Sequence, residues 1–106
     1  MSGVLRLSPD GPVLRGEQDA VDVIGEAWSV SAGTVVVPVE RLDEGFWTLS
    51  TRVAGAILGK FAAYRMRVVV VGDISGRLAV SESLRAFVRE ANRGRDIAFV
   101  EVFEPR

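Results

Sequence analysis

Two uninterrupted β-branched runs constrain the fold of this chain most: Thr-Val-Val-Val at residues 34–37 and four valines at residues 68–71. A strand that is apolar at every position suits a parallel sheet covered on both faces. Parallel strands are joined by crossovers that are usually helices, and these crossovers are right-handed. We therefore expect an α/β fold in which residues 68–71 form the central strand.

Residues 48–64, between the two runs, have the periodicity of a helix. Its apolar side shows the three-and-four spacing of a core-facing surface. This side consists of Ser50, Val53, Ala54, Ile57, Phe61 and Tyr64. The opposite side has small side chains and one charge where Glu and Lys are typical. It consists of Thr48, Thr51, Arg52, Gly55, Gly59, Ala62 and Ala63.

Gly55 and Gly59 indicate that something packs closely against this helix. A mid-helix glycine costs about 0.5–1 kcal/mol relative to alanine, so two of them, four residues apart, need a reason. One interpretation is a neighbouring helix or strand of the same chain. The other is a partner protein or a second copy of this one.

The rest of the chain completes an alternating pattern. An opening β-hairpin is predicted from residues 4–7 and 13–14 around Pro9 and Pro12. A helix is predicted from Glu17, with Trp28 at the end of its buried stripe. Residues 75–77 read as a mobile loop.

A last helix begins after a serine cap, and a last strand follows it. Ser81 or Ser83 is the predicted cap, Gly94 the left-handed stop and residues 97–103 the strand. The predicted order is β-β-α-β-α-β-α-β, in a single domain spanning residues 1–106 with a mixed, mainly parallel sheet of about five strands.

The composition limits the kinds of site that this chain can form. The 106 residues include no cysteine and no histidine, and the net charge is −1. These absences exclude disulfides, nearly all zinc sites and histidine-activated nucleophiles. The nearly neutral charge gives no field that would recruit nucleic acid, and no apolar run is long enough to span a membrane. We expect a cytoplasmic protein with no nucleic-acid partner.

Three segments of the chain resemble a known bacterial family. They read LSTRVAGAILGKFAAYR, VVGDIS and SLRAFVREANRGRDIAFV. The family is catalogued as domain of unknown function 4180, and the resemblance implies no activity. The matching residues are Ala54, Gly55, Ile57, Leu58, Lys60, Phe61, Tyr64, Arg65, Gly72, Asp73, Ser75, Ser83, Leu84, Arg85, Phe87, Glu90, Asn92, Arg93 and Gly94.

The element order is also similar to that of STAS domains, found in sulphate transporters and anti-sigma-factor antagonists. This likeness implies a module that docks on partners and can be switched by phosphorylation. In antagonists the switch serine opens a helix within an Asp-Ser-Ser-Gly-like motif, whereas this chain reads Asp-Glu-Gly-Phe-Trp at residues 43–47. Ser50 and Thr51 are the nearby candidates for phosphorylation, and a helix-start role is the alternative for each.

Five residues are candidates for an interaction surface. They are Phe46, Trp47, Arg52, Gly55 and Gly59. The two aromatic residues could form an apolar patch in a loop, or instead a lid on the core. With this surface, we expect a non-catalytic regulatory module that acts by association with a protein partner or as a homodimer, without a cofactor.

The alternative is a small-molecule, nucleotide or magnesium site, possibly catalytic, at the carboxyl ends of the strands. Its carboxylates would be Asp43, Glu44 and Asp73, although a turn or cap role also explains Asp73. A ligand could also meet Lys60, Tyr64, Gly72, Asp73, Asn92 and Arg93. No glycine-rich phosphate-binding motif accompanies these residues.

Overall fold

The structure, a computed structural model, describes residues 3–103. The strands are β1 (Gly3–Arg6), β2 (Ala32–Pro38), β3 (Arg67–Val71) and β4 (Ile97–Val100). The helices are α1 (Glu17–Ser29), α2 (Val53–Ala63), α3 (Ser75–Val80) and α4 (Glu82–Arg93). Three short 3₁₀ turns, Val39–Arg41, Glu44–Trp47 and Leu49–Thr51, connect β2 to α2.

The four strands form one sheet in the order β1-β2-β3-β4, and every pairing is parallel. The predicted α/β fold is confirmed, but the sheet of residues 3–103 has four strands and is not mixed. The opening hairpin is wrong, since Leu14 makes only an isolated parallel bridge to Leu42. The reason is Arg41, whose buried guanidinium donates to the carbonyl oxygens of Ser8 and Pro12 and holds this segment as a loop.

The strand register divides the sheet into two faces. Val37, which pairs with Val70, belongs to the core cluster that includes the helices. Val36, which pairs with Val69, points the opposite way and lies outside that cluster. Right-handed crossovers between strands in sequential order place α1, α2 and α4 on one side. We call the side of Val37 the helix face and the side of Val36 the open face.

The first helix occupies its predicted position, but Trp28 is not in the core. The buried residues of α1 are Ala20, Val23, Ile24 and Ala27. Trp28 is 48% exposed, and its ring meets the edge of Tyr64 at a centroid distance of 5.2 Å. The buried side of α1 therefore includes Val23 and leaves Trp28 outside, which differs from the predicted stripe.

The second helix is shorter than the predicted span of residues 48–64. Arg52 has a left-handed backbone (φ 65°), which separates the preceding 3₁₀ turn from α2. Ser50 lies in that turn and is exposed, so it is not part of the core-facing side. The 3₁₀ turn begins after Thr48. Local hydrogen bonding by short polar side chains competes with a continuous helix here.

The third and fourth helices correct two further expectations. Ser75–Val80 is a short helix rather than a loop. Ser81 caps α4 as predicted, because its hydroxyl accepts a hydrogen bond from the Leu84 N–H. Gly94 has φ −86°, so α4 ends without the left-handed residue that we expected, and β4 stops at Val100. Within residues 3–103, no helix combines the length and apolar character needed to cross a bilayer.

Candidate interaction surface

The outward side of α2 is a surface of small, exposed side chains. Its buried side consists of Ala54, Ile57, Leu58 and Phe61. The four exposed residues opposite are Gly55, Gly59, Ala62 and Ala63, which we call the α2 face. They carry no charge and no side chain larger than a methyl group. The α2 face is therefore flat enough for another backbone to approach closely.

The two glycines of the α2 face have no neighbour in the described chain. A Cβ atom built on Gly55 or on Gly59 meets no atom within 4 Å, apart from the helix itself. The interpretation that an element of the same chain packs against these glycines is therefore wrong for residues 3–103. The other interpretation, an external partner, is the one left open.

An apolar groove lies beside the α2 face, between α2 and α4. Its volume is about 540 Å³, and it is lined by Leu49, Arg52, Ala54, Gly55, Ala56 and Phe87. Arg52 is the one charged lining residue, and its side chain is exposed. Gly55 belongs both to the α2 face and to this groove, so the two surfaces are continuous.

An exposed aromatic pair lies at the carboxyl end of α1 and α2. Trp28 and Tyr64 are 48% and 43% exposed. Their rings meet edge to face, a favourable arrangement for aromatic side chains. Sequence reasoning placed Trp28 in the core. The sequence pattern held no sign of this exposure, because positions 20, 24, 27 and 28 all fit one three-and-four stripe.

The two predicted loop aromatics are in the core. Phe46 is fully buried and Trp47 is 6% exposed. Their ring centroids are 4.8 Å apart, and both rings lie near Phe99 of β4, at 6.4 and 6.3 Å. They form the lid on the core that was the alternative interpretation, so they are not available to a partner in this structure.

Glu44 is engaged by an arginine of α3. Arg77 donates two hydrogen bonds to the Glu44 carboxylate, at 3.0 and 2.6 Å. Its guanidinium also lies over the Trp47 ring, 5.1 Å from the centroid. The hydrogen bonds from Arg77, and then its charge, hold the pKa of Glu44 below the ordinary value. This ion pair fastens α3 to the 3₁₀ segment.

The other two carboxylates accept hydrogen bonds from nearby backbone N–H groups. Asp43 accepts a hydrogen bond from the Gly45 N–H at 2.9 Å, and its second oxygen lies 3.9 Å from Arg15 Nε. Asp73 accepts one from the Ser75 N–H at 2.9 Å. Hydrogen bonds from the Ser75 backbone, and then from its hydroxyl, lower the pKa of Asp73.

The three carboxylates do not form a metal site together. In the described part of the chain, no three acidic, histidine or cysteine side chains lie close enough to hold an ion. Each of these three carboxylates instead has a partner from the protein itself. The turn role, one of the two alternatives predicted for Asp73, accounts for its contact with Ser75.

The predicted ligand-binding residues separate into two groups. Gly72, Asp73 and Asn92 line one cavity of about 220 Å³. Lys60 and Tyr64 lie away from it, where Lys60 pairs with Glu17 of α1 at 3.3 Å.

Three of the ligand candidates have structural contacts. The Asn92 amide accepts from the Phe99 N–H at 2.6 Å and donates to the Phe99 carbonyl at 3.3 Å, so it occupies the outer edge of β4. Arg93 lies 3.8 Å from Glu90 in the same helix. Gly72 has φ 149°, and a Cβ atom there would lie 2.5 Å from a methyl group of Val39.

The two phosphorylation candidates differ in their surroundings. The Thr51 hydroxyl lies within donor distance of two carbonyl oxygens, those of Gly45 and Thr48, which share its one proton, and it accepts from the Val53 N–H at 3.3 Å. It therefore holds the 3₁₀ segment together. Ser50 is exposed and lines a cavity of about 400 Å³ that also includes Arg77.

Comparison with known proteins supplies a family. No match to the chain was found among curated proteins or among solved structures. The family model described as "Domain of unknown function (DUF4180)" matches residues 2–105, nearly the whole chain. The chain therefore belongs to the DUF4180 family.

Proposed function

We propose that this protein is a non-catalytic regulatory module that works by associating with another protein, or with a second copy of itself, through the α2 face. The observation that carries the proposal is the empty space around Gly55 and Gly59. Each glycine costs the helix about 0.5–1 kcal/mol and gains no close contact from residues 3–103. Close packing of a partner protein against α2 would explain why both positions are glycine.

The surroundings of the α2 face support a protein partner rather than a small ligand. The adjoining groove is apolar and shallow, and it runs beside a helix, as in surfaces that accept a partner helix. The exposed pair Trp28 and Tyr64 adds aromatic side chains of the kind that anchor protein interfaces. The cavity at Gly72, of about 220 Å³, is smaller than most small-molecule sites.

The test is a charged, bulky substitution that the fold can accommodate. Gly59→Lys places a long side chain on the α2 face, and the open space there should leave folding intact. We expect it to weaken association at least about tenfold, because a clash worth 1.4 kcal/mol has that effect. Sedimentation velocity over a range of concentrations measures self-association, and affinity capture from producing cells measures binding to another protein.

The matched control is Gly76→Lys in α3, where a Cβ atom also meets no neighbour among the described residues. This variant should associate like the natural protein. The proposal fails if the natural protein is monomeric at every concentration and captures no partner. It also fails if both lysine variants associate equally well.

A further inference from the structure

The open face of the sheet is a second surface without a helical layer. Parallel sheets are normally covered on both faces, yet the crossover helices here lie on one side. The register places Val4, Val36, Val69, Val71 and Val100 on the open face. An apolar parallel-sheet surface of this kind requires another form of cover.

The segment after β4 provides part of that cover. Val36 and Val69 are only 6% and 2% exposed. The Arg6 guanidinium lies over the ring of Phe103. The distance from Arg6 Cζ to the centroid of that ring is 5.0 Å. Arg6 belongs to β1 and Phe103 follows β4, and these edge strands are about 14 Å apart at the usual spacing. The two side chains therefore meet above the middle strands, which contain Val36 and Val69. We call residues 101–103 the strap.

The strand residues of the open face carry positive charge and no negative charge. Arg6 and Arg67 point toward it, since they pair with Val36 and Thr34 of the same face. None of the four strands contains an acidic residue. By contrast, α1 on the helix face has four acidic residues and no basic one. A second copy docked through the same face would bring these arginines toward one another, so the charge favours an acidic occupant.

We propose that the open face is a docking site for an acidic segment of a partner protein that carries an aromatic side chain and displaces the strap. The strap shows what the site accepts, because its sequence is Glu-Val-Phe and its aromatic ring already lies under Arg6. Cation–π contact with Arg6 holds the aromatic ring on the valine-lined open face. The site lies on the opposite side of the sheet from the α2 face, so it does not depend on the function proposed above.

The test uses the full chain with Phe103→Ala, which removes the competing ring. The probe is the peptide Glu-Val-Phe-Glu-Pro-Arg, the sequence of residues 101–106. Titration followed by amide NMR should shift the signals of Val36 and Val69. If the strap is closed about 90% of the time, the natural chain should bind the peptide roughly tenfold more weakly than the variant.

Two altered peptides and one protein variant serve as controls. Replacing both glutamates of the peptide by lysine, or its phenylalanine by alanine, should abolish the shifts. Arg6→Gln in the Phe103→Ala chain should weaken binding by at least about fivefold, since a partly desolvated cation–π contact is worth about 1 kcal/mol. Gly59→Lys should leave binding unchanged, which separates this site from the α2 face.

Three outcomes would overturn the proposal. The first is no shift on the open face at millimolar peptide, in either the variant or the natural chain. The second is equal binding of the lysine-substituted peptide. The third is a natural chain that is dimeric and becomes monomeric on Phe103→Ala, because the occupant would then be the strap of a second copy. If Phe103→Ala does not fold, Phe103→Leu removes the aromatic contact while keeping an apolar side chain, and the same outcomes apply.

Discussion

The loops at the carboxyl ends of the strands and the α2 face differ in what surrounds their residues. In the loops, Glu44 is bound by Arg77, Asp73 by Ser75, and Gly72 lies against Val39. On the α2 face, a Cβ atom on Gly59 would meet no neighbour within 4 Å in the described part of the chain. The carboxylates, which could bind a metal or transfer a proton, are thus occupied by contacts that stabilise the loops. The α2 face, which has only glycine and alanine, is the surface without such contacts in the described chain.

The largest effect should come from Gly72→Ala. Its backbone has φ 149°, and the added methyl carbon would lie 2.5 Å from Val39. Strain and overlap together should lower the free energy of unfolding by about 2–4 kcal/mol, measured by urea denaturation. Gly76→Ala is the control, since it has open space and should be neutral or slightly stabilising. A Gly72→Ala variant as stable as the natural chain would remove the contrast between the two regions.

Asn92→Ala should have the next largest effect. It leaves the Phe99 N–H and carbonyl without their side-chain partner at the edge of β4. We expect a loss of about 1–2 kcal/mol in the free energy of unfolding and faster hydrogen exchange at Phe99. Arg93→Ala, one residue later, removes only an exposed ion pair and should change stability by less than about 0.5 kcal/mol. Equal effects of the two variants would show that the edge contact contributes nothing.

Alanine substitutions on the α2 face should raise stability rather than lower it. Gly55→Ala and Gly59→Ala add methyl groups to open space within a regular helix. Helix propensity should raise the free energy of unfolding by about 0.5–1 kcal/mol for each, measured on the monomer by urea denaturation. Gly25→Ala in α1, which is equally open, should give a similar gain. A loss of stability at Gly55 or Gly59 would mean that the chain itself packs there.

The smallest expected effect is a change in how stability depends on pH. It should be seen with a substitution in the loops but not with one on the α2 face. The folded pKa of Glu44 is below its ordinary value of 4.5, so its stabilisation is present above that pH and is lost as pH falls through the folded pKa. Stability measured from about pH 6 to about pH 3 should therefore decline less steeply in Glu44→Gln than in the natural chain. Gly59→Ala should keep the natural slope, since it changes no titratable group. A Glu44→Gln variant with the natural slope would contradict the role of the Arg77 contact.

Sequence reasoning succeeded where a local pattern was continuous. The β-branched run at residues 34–37 lies within β2, and the run at 68–71 lies within β3. The spacing of Ile57 and Phe61 correctly marked the buried side of α2. The serine at the start of α4 was also identified, because a cap depends on residues three positions apart.

Sequence reasoning failed where distant residues decide the conformation. Arg41 binds the carbonyl oxygens of Ser8 and Pro12, which lie about thirty residues earlier, and so replaces a predicted hairpin with a loop. The pairing of Arg77 with Glu44 likewise spans a separation that no local pattern records. Trp28 was assigned to the core because periodicity gives the side of a helix but not the width of the surface that covers it.

The amino-acid sequence by itself determined the positions of α1, α2 and α4, the inner strands and the α/β class, because backbone preference and apolar periodicity act within a few residues. It also showed that Gly55 and Gly59 needed an explanation. Only the tertiary structure decided that nothing in the described chain covers them, and that the helices leave one face of the sheet to the strap. Coverage depends on which distant segments meet in space, and that is set by the packing of the whole chain.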